Sequence, residues 1–163
     1  MKIGLGLYCH LLTTDNFRFA RQAGATHVVA HLIDYQSQFP KLLKASCDGY
    51  VWPRSRTGER SLWTYEELRD LKAAINAEGL ELEAIENFDV THWHDVLLDG
   101  PKKRQQLEGL KTFIRDVGKA GIPIIGYDFS LAGVWGHHVG PFARGQAECV
   151  GFGGDGAPME TPI

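Results

Sequence analysis

Polar and aromatic residues follow two apolar stretches of the chain at the point where each stretch ends. One stretch runs into Glu86 and Asn87, and the other runs into Tyr127 and Asp128. Each stretch follows a helical pattern that ends at a glycine, which is typical of a buried parallel strand. In parallel α/β proteins the carboxyl ends of the strands carry the functional groups. We therefore expect the functional site at this edge of the sheet.

Glu86 is the best candidate for a catalytic residue. A carboxylate at the end of an apolar run contacts a substrate hydroxyl, takes part in proton transfer, or forms an ion pair at the mouth of the site. Asn87 is equally compatible with a turn, since asparagine favours turns and caps. Tyr127 and Asp128 occupy the equivalent end of the next strand, where contact with substrate and simple packing are both open.

Further candidates lie at the two ends of the chain. Arg144 would hold a carboxylate through its forked guanidinium, with an ordinary surface arginine as the alternative. Trp135 would form an apolar pocket wall, with core packing as the alternative. Tyr8 and His10 follow the first strand and are also placed to line a pocket.

The histidines and cysteines do not have the spacing of a metal site. The pairs His92/His94 and His137/His138 fall in predicted loops, where we interpret them as solvated or substrate-facing residues. The three cysteines are an odd number and share no metal-type spacing, which fits reduced thiols in a cytoplasm. We expect no metal site within this chain.

Composition restricts the class of protein. A length of 163 residues, with 44% hydrophobic and 23% charged residues, predicts one soluble globular domain. The net charge of −3 argues against binding to nucleic acid or to an anionic membrane. No apolar stretch approaches the roughly 18 residues that a membrane span requires. A cytoplasmic protein that acts on a small molecule fits best.

A junction of helix end, glycine and apolar strand occurs three times, at Gly24, Gly79 and Gly121. Glycine is favoured there because it adopts the left-handed conformation at little cost. Three such junctions predict an alternation of strands and helices. The predicted elements are strands at about 2–8, 27–33, 81–86 and 123–129 and helices at about 15–23, 64–78 and 101–119.

Helical spacing predicts which residues face the core. The pattern from Thr64 to Glu67 is a capping box. The inward stripes are predicted at Phe17, Ala20 and Ala23 in the first helix, Leu68, Leu71 and Ile75 in the second, and Leu107, Leu110, Ile114 and Val117 in the third. A long insertion, 34–63, is predicted to be a functional lid or a mobile excursion. The glycine-rich tail, 131–163, contains no convincing helix or strand.

The chain resembles the mannonate dehydratase family of the xylose-isomerase-like TIM-barrel superfamily. The segments that carry the resemblance are 21–26, 63–68, Ile85-Glu86-Asn87, Gly121-Ile122 and Tyr127-Asp128-Phe129, with Trp135 at the family's spacing. The resemblance implies a (β/α)8 barrel of which only about the first four β/α units are present, as the amino-terminal half of one domain over 1–163. At Asp128 the family usually has asparagine, so the resemblance does not extend to the substrate contact at this position.

The resemblance also implies a chemistry. The family dehydrates D-mannonate to 2-dehydro-3-deoxy-D-gluconate in hexuronate catabolism, using Mn²⁺ or Fe²⁺. Its metal ligands come from the second half of the barrel, beyond residue 163. The residues of this chain would then form the substrate-binding wall, namely Glu86, Asn87, Tyr127, Asp128, Trp135 and Arg144.

Two alternatives remain open from the sequence. One is a sugar isomerase or epimerase of the same superfamily, because the fold does not determine the reaction. The other is a catalytically inert, truncated half-barrel. In either case four parallel strands leave two edges to pair, so we expect a missing carboxyl-terminal half-barrel or a second copy of the chain as a partner.

Overall fold

A computed structural model of the chain describes residues 1–32, 62–87, 90–127 and 137–152. They divide into two compact units, the first built from 1–32, 62–87 and 90–127 and the second from 137–152. Most of the predicted insertion and the end of the tail lie outside the described residues. The prediction of a single barrel domain over 1–163 stays a prediction.

The first unit alternates strands and helices, as the glycine junctions predict. Its strands are β1 (Gly4–Tyr8), β2 (His27–His31), β3 (Glu81–Glu86) and β4 (Ile124–Gly126). Its helices are α1 (Thr14–Gln22), α2 (Tyr65–Ala77), α3 (His94–Leu98) and α4 (Lys103–Lys119). Three-residue 3-10 helices occur at Cys9–Leu11 and Val90–His92. The short helix α3 was not predicted, and β4 is shorter than the predicted strand.

The four strands form one parallel sheet in the order β1-β2-β3-β4. One face of the sheet packs on the helices and forms the core. Its buried side chains include Leu7, Val28, Ala30, Leu82 and Ile85 from the strands and Phe17, Leu68, Ile75, Phe113 and Val117 from the helices. The prediction of an α/β fold with a parallel sheet is confirmed.

Strand β3 contains one residue more than β2 along their shared edge. Val28 pairs with Leu82, but the next residue, Val29, pairs with Ala84, so Glu83 lies opposite the step between two pairs. This is a β-bulge, which bends a strand locally and shifts its register.

The helix termini follow their sequence signals. The Thr64 backbone N–H donates to Glu67 Oε2 at 2.9 Å and the Glu67 N–H donates to Thr64 Oγ1 at 3.4 Å, which confirms the capping box of α2. The junction glycines Gly24, Gly79 and Gly121 have φ of +91°, +75° and +69°, as predicted for left-handed residues. In the described segments, no helix combines the length and apolar character needed to cross a membrane.

The inward face of α4 differs from the prediction. Leu110 and Val117 are buried, but Phe113 takes the place predicted for Ile114, which is 56% exposed. Leu107 is only partly buried. Phe113 is three residues after Leu110 and four before Val117, so it continues the same stripe with a larger side chain. In α1, Phe17 and Ala20 are buried as predicted, whereas Ala23 is the exposed cap residue.

The second unit is a β-hairpin. Strand β5 (His137–Gly140) pairs antiparallel with β6 (Cys149–Phe152), and a 3-10 helix, Arg144–Gln146, lies in the connection. The prediction that the tail contains no strand is therefore wrong here. Its glycines interrupt the alternation of apolar and polar residues on which strand prediction depends, while the antiparallel backbone pairing does not require that alternation.

Candidate functional site

The last residues of the four parallel strands lie side by side. Tyr8 pairs with His31, His31 with Glu86, and Glu86 with Gly126. We call these four positions the strand-end row. Their neighbours one step earlier, such as Ala30 and Ile85, are buried in the core, so the side chains of the row point to the opposite face of the sheet. The row is the edge at which the sequence predicts the site.

His31 and Glu86 form an ionisable pair in the middle of this row. His31 Nε2 and Glu86 Oε2 are 3.5 Å apart, and the two side chains are 17% and 42% exposed. Burial lowers the pKa of His31, and the nearby Glu86 carboxylate opposes that shift without overcoming it. A lowered pKa favours the neutral imidazole at neutral pH, beside the Glu86 carboxylate.

Two residues of β1 shape the surroundings of His31. The rings of Tyr8 and His31 have centroids 4.9 Å apart and are tilted by 56°. A Cβ atom on Gly6 would lie 3.4 Å from His31 Nε2, at the short limit of van der Waals contact. The absence of a side chain at Gly6 thus leaves room for the imidazole beside Glu86.

Asn87 is held at the edge by backbone bonds. Its φ is +56°, in the left-handed region that asparagine tolerates better than most residues. Its N–H donates to the Gly126 carbonyl at 3.0 Å, and the Leu32 N–H donates to the Glu86 carbonyl at 3.2 Å. Glu86 and Asn87 are therefore fixed to the strands on both sides, and the positive φ of Asn87 is compatible with its alternative interpretation as a turn residue.

The remaining predicted site residues are Tyr127, Asp128, Trp135 and Arg144. Tyr127 follows β4 directly and is 68% exposed. Arg144 is exposed and belongs to the second unit. Asp128 and Trp135 lie outside the described residues. The structure thus brings together Glu86, Asn87 and the backbone that leads to Tyr127, and the functional roles of all six residues stay predictions.

His31 was missed by the sequence analysis. It ends β2 in the same way that Glu86 ends β3, after the apolar residues Val28, Val29 and Ala30. Applying the strand-end rule to every predicted strand would have found it. The predicted strand continued to residue 33, and that boundary placed His31 inside the strand.

A buried polar contact organises the connection from β3 to α4. Gln106, which is 8% exposed, accepts through Oε1 from the N–H groups of Asp95 and Val96 at 2.9 and 3.2 Å. Its Nε2 donates to the Thr91 carbonyl at 2.9 Å. Asp95 Oδ2 in turn accepts from the Lys102 N–H at 2.7 Å. These bonds fix α3 against α4 and hold the segment that follows the strand-end row.

The predicted histidine pairs differ in their surroundings. His94 lies 3.1 Å from Gln106 through Nδ1 and 3.3 Å from Asp95 Oδ1 through Nε2, so it belongs to the same polar contact. His92 ends a 3-10 helix and His94 begins α3, so the prediction that this pair lies in a loop is wrong. His137 and His138 begin β5 and are not in a loop, which corrects the prediction for that pair.

A cavity of about 650 Å³ lies elsewhere in the first unit. Trp63 and Thr64 at the start of α2 line it on one side, and Gln105 and Thr112 of α4 line it on the other. No residue of the strand-end row lines this cavity. It is therefore a separate feature of the first unit.

Comparison with known proteins points to one family. Residues 21–138 match the family model of D-mannonate dehydratase (UxuA). Mannonate dehydratase of Streptococcus equi subsp. zooepidemicus is 39% identical over 74 residues, which are 45% of this chain and 20% of that protein. The Thermotoga maritima enzyme is 34% identical over 74 residues, with the same coverage of 45% and 20%.

A solved structure extends the comparison to the fold. The crystal structure of mannonate dehydratase from Streptococcus suis serotype 2 matches with a TM-score of 0.60 at 22% identity. The match covers 93% of this chain and 37% of that one. The chain therefore spans little more than a third of the solved relative, and its alignments span about a fifth of the curated relatives.

Proposed function

Since the chain belongs to the D-mannonate dehydratase family, we propose that it forms part of an enzyme that converts D-mannonate into 2-dehydro-3-deoxy-D-gluconate and water. The observation that carries this proposal is the family match over residues 21–138. That range includes both His31 and Glu86 of the strand-end row. No relative named in the comparisons is an isomerase or an epimerase.

The proposed architecture is the first four β/α units of a TIM barrel. Strands in sequential order with the helices on one face are what such units require. The strand-end row would then be one wall of the active site at the carboxyl end of the barrel. The remaining wall would come from a carboxyl-terminal half or from a second copy of the chain, and we propose a cytoplasmic location for the assembly.

Dehydration of a sugar acid removes a proton from C2, next to the carboxylate, and a hydroxide from C3. Groups that bind hydroxyls and exchange protons are needed at the site. Glu86, with His31 beside it, is the best candidate for this work among the residues of the row. Asn87 and Tyr127, together with Asp128, Trp135 and Arg144, are proposed to contact the substrate.

The family resemblance implies Mn²⁺ or Fe²⁺, which would polarise the substrate carboxylate when bound. Among the residues that the structure describes, no group of three or more histidine, cysteine, aspartate or glutamate side chains is placed to hold a metal ion. His31 and Glu86 supply two donors, fewer than such ions usually take from protein. The described residues do not fit the metal, and its ligands are proposed to lie beyond residue 163.

An assay of complementation tests the proposed function. We expect the chain alone to be aggregation-prone or oligomeric and to leave D-mannonate unchanged with Mn²⁺ present. Co-expression with the remaining part of the Streptococcus suis enzyme should restore formation of the 2-keto acid. A Glu86→Gln variant should reduce the restored rate, whereas Glu83→Gln, in the same strand, should not.

Two outcomes would contradict the proposal. A monomeric chain that dehydrates mannonate by itself would show that no further wall is needed. A complemented, soluble assembly that interconverts aldose and ketose sugars without loss of water would replace the dehydratase with an isomerase.

A further inference from the structure

Glu83 and Glu86, two of the three carboxylates of β3, have different partners on the open face of the sheet. At the amino end, Glu83 Oε1 accepts from Lys2 Nζ at 2.6 Å, and His27 Nε2 lies 3.6 Å from Glu83 Oε2. At the carboxyl end, the ionisable partner that the structure describes for Glu86 is His31 alone. A lysine therefore faces the Glu83 carboxylate, whereas the Glu86 carboxylate faces an imidazole whose pKa is lowered by burial.

This difference determines what each end of the sheet is able to bind. A carboxylate accepts hydrogen bonds, and a neutral imidazole with hydrogen on Nε2 donates one. A hydroxyl group both donates and accepts, so it matches the two side by side. With Nε2 and Oε2 separated by 3.5 Å, a hydroxyl oxygen fits at hydrogen-bonding distance from both.

A substrate carboxylate does not fit the same place. It only accepts hydrogen bonds, and its charge is repelled by Glu86. The partial exposure of Glu86 weakens this repulsion through solvent but does not reverse its sign. Tyr8 on one side of His31 and Gly6 beneath it bring no charge to the pair.

We propose that His31 and Glu86 together bind a hydroxyl group of the substrate's carbon chain, and that the carboxylate of the sugar acid lies away from the strand-end row. This inference rests on the proposed function for the identity of the substrate. It makes the row a determinant of orientation: it selects which end of an open-chain sugar acid faces the first four strands.

Three small molecules distinguish binding of a hydroxyl group from binding of a carboxylate at the strand-end row. D-mannitol carries the hydroxyls without a carboxylate, acetate carries a carboxylate without a polyol, and D-mannonate carries both. The readout is the imidazole ¹H–¹³C signal of His31 in the soluble, oligomeric fraction of the 163-residue chain. Comparison with the spectrum of a His31→Gln variant assigns that signal among the seven histidines.

We expect D-mannitol and D-mannonate to shift the His31 signal and acetate to leave it unchanged. Glu86→Gln should weaken the D-mannitol response about tenfold, the difference between a charged and a neutral hydrogen-bond acceptor. Glu83→Gln is the matched control, because it removes a carboxylate from the same strand at the opposite end and should not alter the response.

The inference is overturned if acetate shifts the signal as strongly as D-mannitol, if no probe shifts it, or if Glu83→Gln acts as strongly as Glu86→Gln. If Glu86→Gln does not fold, the three probes on the unchanged chain still decide the matter. A correct response to the probes with no dehydration in the complemented assembly would reject the proposed function and leave this inference standing. Dehydration by the complemented assembly, together with a response to acetate alone, would support the proposed function and reject this inference.

Discussion

Replacing Gln106 by leucine is expected to loosen the connection between β3 and α4. The substitution keeps most of the side-chain volume but removes the acceptor for the N–H groups of Asp95 and Val96 and the donor to the Thr91 carbonyl. These N–H groups belong to the first turn of α3, whose N-cap residue provides no side-chain bond. Gln106 thus caps α3 from a different helix.

The magnitude follows from the burial of each group. The bond to Asp95 is buried, and losing it costs about 1–3 kcal/mol, whereas the other two bonds are partly buried and cost about 0.5 kcal/mol each because water replaces them. Gln106→Leu should therefore lower the free energy of unfolding by about 2–4 kcal/mol. The urea midpoint should fall by on the order of 1 M.

Gln105→Leu provides the control on the adjacent, exposed position and should change stability by less than about 0.5 kcal/mol. Hydrogen exchange should accelerate at Asp95 and Val96 in Gln106→Leu more than at core residues such as Val28. Equal urea midpoints for the two variants, or unchanged exchange at Asp95, would refute the assignment of Gln106 as the cap of α3.

Three further predictions use matched positions. Gly79→Ala should destabilise by about 1–2 kcal/mol because φ is +75° there, whereas Gly109→Ala, inside α4 with open space around it, should stabilise by about 0.5–1 kcal/mol; thermal melting of both measures the contrast. Thr64→Ala should cost about 1 kcal/mol in urea unfolding through loss of the α2 cap, and an unchanged midpoint would contradict the capping role. The pKa of His31 is lowered in the folded chain, so the unfolded chain binds the proton more tightly. The stability that the folded chain has above about pH 6.5 is therefore lost as the pH falls below that value. His31→Gln should reduce that loss, and urea midpoints on both sides of this pH should reveal it.

Local signals in the sequence were sufficient for the strands and helices of the first unit. The glycine junctions and the capping box act through nearby backbone groups. They can therefore be recognised in the sequence without knowledge of tertiary contacts. The face of α4 was harder to predict because Phe113 and Ile114 both continue an apolar stripe from Leu110. Contacts with the sheet and the neighbouring helix determine which of the two side chains is buried, and the periodicity of the sequence does not predict those contacts.

The candidate site was predictable in position but not in composition. Glu86 and Asn87 follow an apolar run, and that pattern located the edge of the sheet. The pairing of His31 with Glu86 depends on the register between two strands that are 50 residues or more apart in sequence, which no local pattern specifies. The contact between Gln106 and the start of α3 is of the same long-range kind.

The extra residue in β3 decides whether the edge of the sheet is polar or apolar. Leu82 and Glu86 are four positions apart, so in an uninterrupted strand both would point to the same side, yet Leu82 is buried in the core and Glu86 lies beside His31. Deleting Glu83 would join Leu82 to Ala84 in a regular ladder, so the bulge would disappear and Glu86 would stay beside His31. If Glu83 instead paired with Val29, Glu86 would turn toward the helices and Ile85 to the open side. The choice between a bulged and a regular register therefore decides whether this edge presents a polar or an apolar wall, with every side chain of the strand unchanged.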